Sequence, residues 1–257
     1  MAGLKAQAKR LKERTALALP ERHISMSNAL ARGAQGLSLS QKRIVALALA
    51  KTDSVSMSDA IGGNMNGWKI RIHAHEYVES FDVDPNTAYE QMKDGARSLL
   101  KCLWRTVKEG PKGPVITEGQ WLHLCEYSKG EGRIDVTFHP KVAPHLLALR
   151  TRFTSYKLKQ AAALRSVYAW RLFECLQSWK SKGVWSVDVK EFGRIMEAPA
   201  SCLADFGRLK ARVIDPALKE LAAKEGFLIE LETERAGRKV TGLVFKFRPD
   251  PQGKLAL

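Results

Sequence analysis

The sequence predicts an α+β protein with two tandem winged helix-turn-helix domains, and two observations lead to this fold class. The order helix, strand, helix, turn, helix and hairpin is found once in each half of the 257 residues. Lys and Arg outnumber Asp and Glu by 42 to 27, which gives a formal net charge of +15. Such an excess favours a polyanionic partner, either nucleic acid or an anionic membrane surface.

The first half opens with a helix start signal. Ser38 and Gln41 form a capping-box pattern before an apolar run, which predicts a buried helix over 40–51. The run WKIRIH, over 68–73, alternates apolar and charged residues and predicts a strand. The remaining elements are expected as a short helix over 74–81, a helix opened by the turn Asp84-Pro85, and hairpin strands near Trp104, over 121–127 and over 133–138.

The second half repeats this order. A long amphipathic helix that ends at Lys182-Gly183 is predicted by a row of apolar residues, namely Leu164, Tyr168, Leu172, Leu176 and Trp179. After it we expect a strand over 184–188, a helix over 189–197, a turn over 198–201, a further helix, and strands over 227–232 and 240–247 joined by a tight basic turn.

The two units are expected to meet near residues 149–154. This divides the chain into a first domain over 23–149 and a second over 150–257, preceded by a loosely ordered basic arm over 1–22. No run approaches the roughly 18 apolar residues of a membrane span, and the arm lacks the apolar core of a secretion signal. We therefore expect a cytoplasmic protein that does not enter a membrane.

The sequence shows no pattern that is typical of a cofactor-binding site. The cysteines are widely separated, which predicts reduced and mostly buried thiols at Cys102, Cys125, Cys175 and Cys202. The chain has no Gly-x-x-x-x-Gly-Lys run to hold a nucleotide phosphate, so any ATP hydrolysis must come from a partner. The sequence predicts neither a metal nor an organic cofactor.

The helix over 205–221 carries the strongest candidate for DNA base reading. Its apolar face is formed by Phe206, Leu209, Val213, Ala217 and Leu221. Arg208, Arg212 and Lys219 point away from that face, and an arginine can donate two bonds to guanine O6 and N7. The alternative is an ordinary charged surface of a solvated helix.

Neighbouring residues complete this candidate site. Ala211 leaves room for a thymine methyl group, and Asp205 could accept from cytosine N4 or favour the helix N-terminus by its charge. Lys210 is a weaker candidate, because the helical wheel sets it toward the apolar side, from which it would have to snorkel outward. Pro216 should kink the helix after Val213 and keep the readable part short.

The basic turn around Gly237 suits a wing that lies along phosphates or in the minor groove, with Arg235, Arg238 and Lys239 as its cations. A solvated hairpin tip is the alternative. We also expect Lys157 and Lys159 to lie on a helix that faces phosphates.

Three segments resemble the initiator replication proteins of iteron-containing plasmids, namely NALARGAQGLSLSQKRIVALALAK, FTSYKLKQAAALRSVYAWRLFECLQSW, and FGRLKARVIDPALKEL with its trailing GRKVTGLVFKF. The similarity covers nearly all of the chain after the arm. It implies two winged-helix domains, of which the second reads bases and the first adds phosphate contacts and, in dimers, the subunit interface. It further implies monomers that bind directly repeated origin sequences, melt an adjacent A+T-rich segment and recruit the host initiator and helicase, and dimers that repress their own gene at inverted repeats.

The resemblance assigns the base-reading stretch to Arg208, Lys210, Ala211 and Arg212, and the wing to Arg238 and Lys239. Relatives usually carry an acidic residue at the position of Arg208 and a basic one at that of Ala211. This difference leaves the repeat sequence open, whereas the mode of binding is expected to be shared.

Two other functions fit parts of the sequence. His73-Ala74-His75 matches the His-hydrophobic-His pattern of metal-dependent nicking enzymes, with Tyr156 or Tyr168 as the nucleophile, although HAHEY more naturally ends a strand and starts a helix. The acidic run ELETE, over 230–234, is more simply the outward face of a strand than a catalytic carboxylate pair. A winged-helix repressor without initiation activity would use the same DNA contacts as an initiator. We expect a DNA-binding protein and no enzyme.

Overall fold

The computed structural model describes residues 17–52, 67–146 and 153–249. Most of the basic arm expected over 1–22 therefore lies outside the described residues. The elements of the first half are β1 (His23–Ser27), α1 (Asn28–Ala31), α2 (Leu39–Lys51), β2 (Trp68–His73), α3 (Ala74–Phe81), α4 (Pro85–Leu99), β3 (Leu103–Gly110), β4 (Gly113–Gln120), β5 (Leu122–Ser128), β6 (Arg133–Phe138) and α5 (Ala143–Leu146).

The elements of the second half are β7 (Phe153–Lys157), α6 (Leu158–Ala162), α7 (Val167–Ser178), β8 (Val184–Asp188), α8 (Val189–Met196), α9 (Ala200–Leu203), α10 (Phe206–Leu209), a π-helical turn (Lys210–Ile214), α11 (Asp215–Glu225), β9 (Phe227–Ala236) and β10 (Lys239–Pro249). The α+β class is as predicted. The predicted helices and strands occur in the expected order, together with elements that were not predicted, such as β1, β4 and β7.

Side-chain caps set the helix starts in the first unit. At α2, the Ser38 hydroxyl accepts from the Gln41 amide and the Gln41 side chain accepts from the Ser38 amide at 2.7 Å, so the predicted capping box is present. Asp84 caps α4 by accepting from the Asn86 amide at 2.9 Å, with Pro85 at the first helical position.

The strands of the first unit form two sheets, where the sequence suggested one hairpin. β2, β6 and β5 form an antiparallel sheet, and Trp68, Ile70 and Ile72 face the core as predicted. β3 and β4 form a separate hairpin. The prediction missed β4 because its residues are exposed, so its sequence shows no alternation of apolar and polar positions.

Helix α7 begins later than predicted. The Ser166 hydroxyl accepts from the Tyr168 and Ala169 amides and so caps the helix at Val167. Leu164 is buried but lies outside α7. The regular spacing of apolar residues continues across the break between α6 and α7. The spacing therefore does not reveal that the helix is interrupted.

A buried cluster of charges joins α2 to α7. The Glu174 carboxylate accepts from Lys42 Nζ at 2.8 Å, Arg171 Nη1 at 2.7 Å and the Tyr156 hydroxyl at 2.9 Å. Burial lowers the pKa of Lys42 to about 8 although Glu174 opposes this. Gln35 also donates to Glu174, so this single carboxylate organises groups from several segments.

β7 pairs with β1 in an antiparallel ladder that runs from His23 opposite Lys157 to Ser27 opposite Phe153. This pairing connects the beginning of the first expected domain to the beginning of the second. Residues 147–152 lie outside the described residues, and the division expected near residue 149 stays a prediction.

The cysteines carry free thiols; Cys175 and Cys202 are buried, whereas Cys102 and Cys125 are half-buried. Burial raises the pKa of Cys175 and of Cys125 to about 11, so neither is an activated thiolate. Within the described ranges, no helix combines the length and the apolar composition that crossing a bilayer requires.

Candidate nucleic-acid interface

The candidate reading helix comprises α10, the π-helical turn and α11, over residues 206–225. Asp205 caps its start by accepting from the Arg208 amide at 3.3 Å. Four residues of its predicted apolar face are buried, namely Leu209, Val213, Ala217 and Leu221, while Phe206 is half-buried. The buried stripe holds the helix against the second unit, so its opposite face is turned toward solvent.

The exposed face carries the residues predicted to read bases. Arg208, Ala211 and Arg212 are all exposed. The Arg208 guanidinium lies 3.5 Å from the Asp205 carboxylate, which is a loose, solvent-exposed pair. Arg212 has no acidic partner among the described residues, so its donors are available to a ligand.

The predicted position of Lys210 is wrong. Lys210 is exposed, and its Nζ lies 2.7 Å from the Asp215 carboxylate. The helical wheel assumed 3.6 residues per turn, whereas the π-helical turn fits more residues into a turn and rotates Lys210 away from the core. The pairing with Asp215, five residues on, fits that wider turn and has no signature in an α-helical pattern.

The irregularity expected near Pro216 is present in another form. The π-helical turn over Lys210–Ile214 directly precedes α11, and Pro216 lies in the first turn of α11. Pro216 has no backbone N–H and its ring crowds the preceding turn, so an irregularity directly before it accommodates the ring. The helical path therefore continues to Glu225, with its break at the wider turn.

The wing is longer and its turn tighter than predicted. β9 and β10 pair as far as Ala236 opposite Lys239, which leaves Gly237 and Arg238 as the turn. Gly237 has φ +61°, a conformation that glycine adopts without strain. Arg235 and Lys239 thus lie on the strands beside the tip, and all three predicted wing cations are exposed.

Lys157 is the last residue of β7 and does not lie on a helix as expected, whereas Lys159 lies on α6. Neither side chain extends freely into solvent. Their ammonium groups lie 3.0 and 2.7 Å from the Glu21 carboxylate. Hydrogen bonds from Lys159 and Lys157 lower the pKa of Glu21. The described end of the arm therefore neutralises part of the charge that we expected to face phosphates.

The histidines and the tyrosine that a nicking enzyme would use lie in surroundings that do not suit that chemistry. β2 ends at His73 and α3 begins at Ala74, as expected from HAHEY, and the His73 and His75 rings stack at 5.4 Å. Across the described part of the chain, no group of three or more His, Cys, Asp or Glu side chains could hold a metal. Tyr156 is buried, and burial raises its pKa well above the usual value, which disfavours a phenolate nucleophile.

The acidic run over 230–234 lies on β9. Glu230 and Glu232 are exposed at alternate positions, as expected for the outward face of a strand. Lys246 on β10 pairs with Glu232. Glu232 therefore has a structural partner on the neighbouring strand.

A pair of substitutions tests the cap of the candidate reading helix. We expect Asp205→Ala to lower the free energy of unfolding by about 1 kcal/mol, because the Arg208 amide loses its acceptor. Asp205→Asn keeps a side-chain oxygen and should change stability by only a few tenths of a kcal/mol. Urea unfolding curves of both variants measure the change in the free energy of unfolding. Equal losses of stability in the two variants would show that Asp205 does not stabilise the protein by capping this helix.

Comparisons with known proteins agree with this architecture. The family model described as "Initiator Replication protein, WH1" matches residues 23–177, beyond the division expected near residue 149, and the model described as "Initiator Rep protein, WH2" matches residues 188–247. An "Uncharacterized 27.6 kDa protein" of Escherichia coli is 27% identical over 230 residues, which are 88% of this chain and 95% of that protein. The "PI protein" of Escherichia coli is 24% identical over 251 residues, with 83% of this chain and 78% of that protein covered.

A solved structure shares the fold. The Pi initiator protein, crystallised in complex with iteron DNA, superimposes with a TM-score of 0.71 at 21% identity, and the match covers 91% of this chain and 99% of that one. The predicted pair of winged helices is thereby confirmed. The chain belongs to the initiator replication protein family, and its two tandem winged-helix domains are the WH1 and WH2 domains of that family.

Proposed function

We propose that this protein initiates plasmid replication by binding directly repeated origin sequences in double-stranded DNA. The observation that carries the proposal is the row Arg208, Ala211 and Arg212 on the outer face of a capped helix beside a basic wing. Family membership and the fold shared with a Pi initiator bound to iteron DNA support it. The protein acts by binding, in the bacterial cytoplasm, and not by catalysis.

In this proposal the start of the candidate reading helix enters the major groove. Arg212 donates its two parallel N–H groups to guanine, and Arg208 does so next to it. Ala211 allows a thymine methyl group to approach. Because Asp205 and Asp215 each hold a neighbouring cation, Arg212 is the least restrained base-reading group.

The wing contributes affinity through phosphates. We expect Lys239→Ala to weaken binding to specific and random duplexes alike and to lower the slope of log K against log salt by about one. The side chain is exposed on β10, so folding should be unaffected. Titrations at several salt concentrations measure the slope; a loss confined to the specific duplex would assign Lys239 to base reading instead.

A second copy of the chain is proposed to bind at the β3–β4 hairpin. Four exposed apolar residues lie there, namely Leu103, Val107, Val115 and Ile116. Among the described strands β4 pairs only with β3, which leaves one edge open to another strand. Dimers formed in this way would repress the protein's own gene at inverted repeats.

The hairpin proposal predicts that Ile116→Asp shifts the monomer–dimer equilibrium toward monomer by about tenfold or more, because a carboxylate would be buried in the interface. Leu228→Asp, at an exposed apolar residue of β9, is the matched control and should leave the equilibrium unchanged. Sedimentation velocity over a concentration series gives both values. Equal behaviour of the two variants would place the interface elsewhere.

Origin melting distinguishes an initiator from a repressor. Binding beside an A+T-rich segment, with the host initiator and helicase recruited there, should make thymines reactive to permanganate on supercoiled plasmid that carries the repeat array. Full occupancy of the repeats without reactive thymines would identify a repressor. A covalent tyrosyl-DNA product formed with magnesium or manganese would identify a nicking enzyme.

A further inference from the structure

Three glutamates of the WH2 domain accept hydrogen bonds from the WH1 domain; we refer to them as the clasp glutamates, Glu197, Glu220 and Glu225. Glu197 accepts from the Gly36 amide at 2.7 and 3.0 Å. Glu220 accepts from the Arg165 amide at 2.5 Å, and Glu225 accepts from the Gln160 side chain at 3.0 Å. The donors lie within the WH1 match and the acceptors within the WH2 match.

Glu197 ends α8 as a left-handed C-cap, in which the Ala198 amide donates to the Gly193 carbonyl at 2.9 Å and the Glu197 amide donates to the Arg194 carbonyl at 3.2 Å. It follows α8 with φ 52° and ψ 41°, a left-handed conformation in which helices usually place glycine or asparagine. A glutamate there is strained, and such strain is retained where the surrounding contacts require the residue. The bond from the Gly36 amide to the Glu197 carboxylate is a contact that glycine, the usual residue at such a cap, could not make.

The WH1 side of this contact is closely packed and held by further hydrogen bonds. Gly36 has φ +66°, and a Cβ there would lie 2.9 Å from the Leu103 carbonyl oxygen. The preceding loop residues are fixed as well, since Arg171 donates to the Gly33 carbonyl and Trp121 donates to the Gln35 carbonyl at 2.9 Å. Glu197 therefore binds a rigid part of WH1.

The other two clasp glutamates hold the candidate reading helix directly. Glu220 and Glu225 both lie on α11, which packs along α7. Arg171 on α7 adds a bond to the Ile195 carbonyl at 3.3 Å, so both helices of the second helix-turn-helix are tied to WH1. Bonds to charged acceptors are about twice as strong as neutral ones.

We propose that Glu197 and Glu220 are positioning residues that set the distance and angle at which WH2 meets DNA relative to WH1. This rests on the proposed DNA-binding function. The protein would then contact one composite stretch of duplex of fixed length. Without the clasp glutamates, WH2 would still bind its own base pairs. The contacts between WH1 and DNA would no longer lie at a fixed distance from those base pairs.

The test compares Glu197→Ala/Glu220→Ala with a control that changes charge equally, Glu79→Ala/Glu230→Ala, at exposed positions outside the clasps. The probe is a duplex selected by the wild-type protein from a library with a random tract of about three helical turns. Hydroxyl-radical footprints of wild type and control should show two protected stretches. The clasp variant should keep protection at the selected bases and lose it at the distant stretch; an unchanged two-stretch footprint would overturn the proposal.

A DNA-independent measurement separates failure of the clasp from failure of the proposed function. Hydrogen exchange at the Gly36 and Arg165 amides should be about tenfold faster or more in the clasp variant and unchanged in the control. Glu197→Gln/Glu220→Gln keeps acceptor oxygens and should restore part of the protection. If the wild-type protein selects no sequence from the library, the proposed function fails, and the exchange rates then test the clasp glutamates by themselves. Amide exchange as slow in the clasp variant as in the wild type would show that these glutamates do not hold the two domains together.

Discussion

Replacing Glu174 with Gln should lower the free energy of unfolding by about 3–5 kcal/mol. The Glu174 carboxylate is buried and accepts from Lys42 and Arg171 at 2.8 and 2.7 Å. The amide of Gln has nearly the same shape but no charge, so two buried cations would remain without a counter-ion. Removing one partner of a buried ion pair costs far more than removing an exposed one.

Urea unfolding followed by tryptophan fluorescence measures this loss, since Lys42 lies over the Trp170 ring at 5.4 Å. Glu191→Gln is the matched control, because Glu191 pairs with Arg194 on an exposed helix face and should contribute less than about 1 kcal/mol. A loss for Glu174→Gln as small as that of the control would show that the cluster is not the anchor that its geometry indicates.

The same cluster predicts a pH dependence. Burial lowers the pKa of Lys42 from its ordinary value of 10.5 to about 8, against the opposing effect of Glu174. Between pH 8 and 10.5 the unfolded chain therefore holds the lysine proton more tightly, and the contribution of Lys42 to the unfolding free energy rises with pH. The difference between wild-type and Lys42→Met unfolding curves isolates this contribution. Without Glu174 the pKa should fall further, so the rise should begin at lower pH.

Replacing Arg212 with Ala should cost about 1–3 kcal/mol of binding free energy on the cognate repeat and relax the preference at one base pair. The guanidinium is exposed on the candidate reading helix and has no acidic partner among the described residues. The binding free energy that Arg212 contributes therefore comes from its contacts with DNA, since no salt bridge within the protein has to be broken to form them. The neighbouring Arg208 lies near Asp205, so its loss should cost less.

Equilibrium binding to the selected repeat, to single-base variants of it and to random duplex measures the effect of Arg212→Ala. Lys219→Ala is the control, since Lys219 is exposed further along the same helix. The expected pattern is a large loss on the selected repeat and a small one on random DNA. Equal losses on both would show that Arg212 contacts phosphate instead of a base.

Sequence patterns predicted those parts of the fold that depend on residues close together in the chain. The Ser38 and Gln41 box, the helix start at Pro85 and the alternation over 68–73 each involve residues close in sequence, and each is present as expected. The apolar stripe of the candidate reading helix was likewise predicted from its spacing. The exposure of Arg208 and Arg212 follows from that stripe, because the face opposite a buried one must meet solvent.

Long-range contacts decided the rest. β4 has no apolar alternation and is a strand because it pairs with β3, and the π-helical turn that turns Lys210 outward has no signature in the sequence. Glu21 reaches Lys157 and Lys159 from more than 130 positions away, which residue spacing does not show.

The sequence by itself determined the two winged-helix units, their basic character and the arginines of the candidate reading helix, since periodicity, caps and charge depend on near neighbours. Only the tertiary structure decided which carboxylates neutralise which cations and how the two domains are joined. Glu174 and Glu197 look alike in the sequence, yet one is buried between two cations and the other binds a backbone amide of the neighbouring domain. The free energy of a charge depends on its burial and its partners, and only the folded chain specifies these.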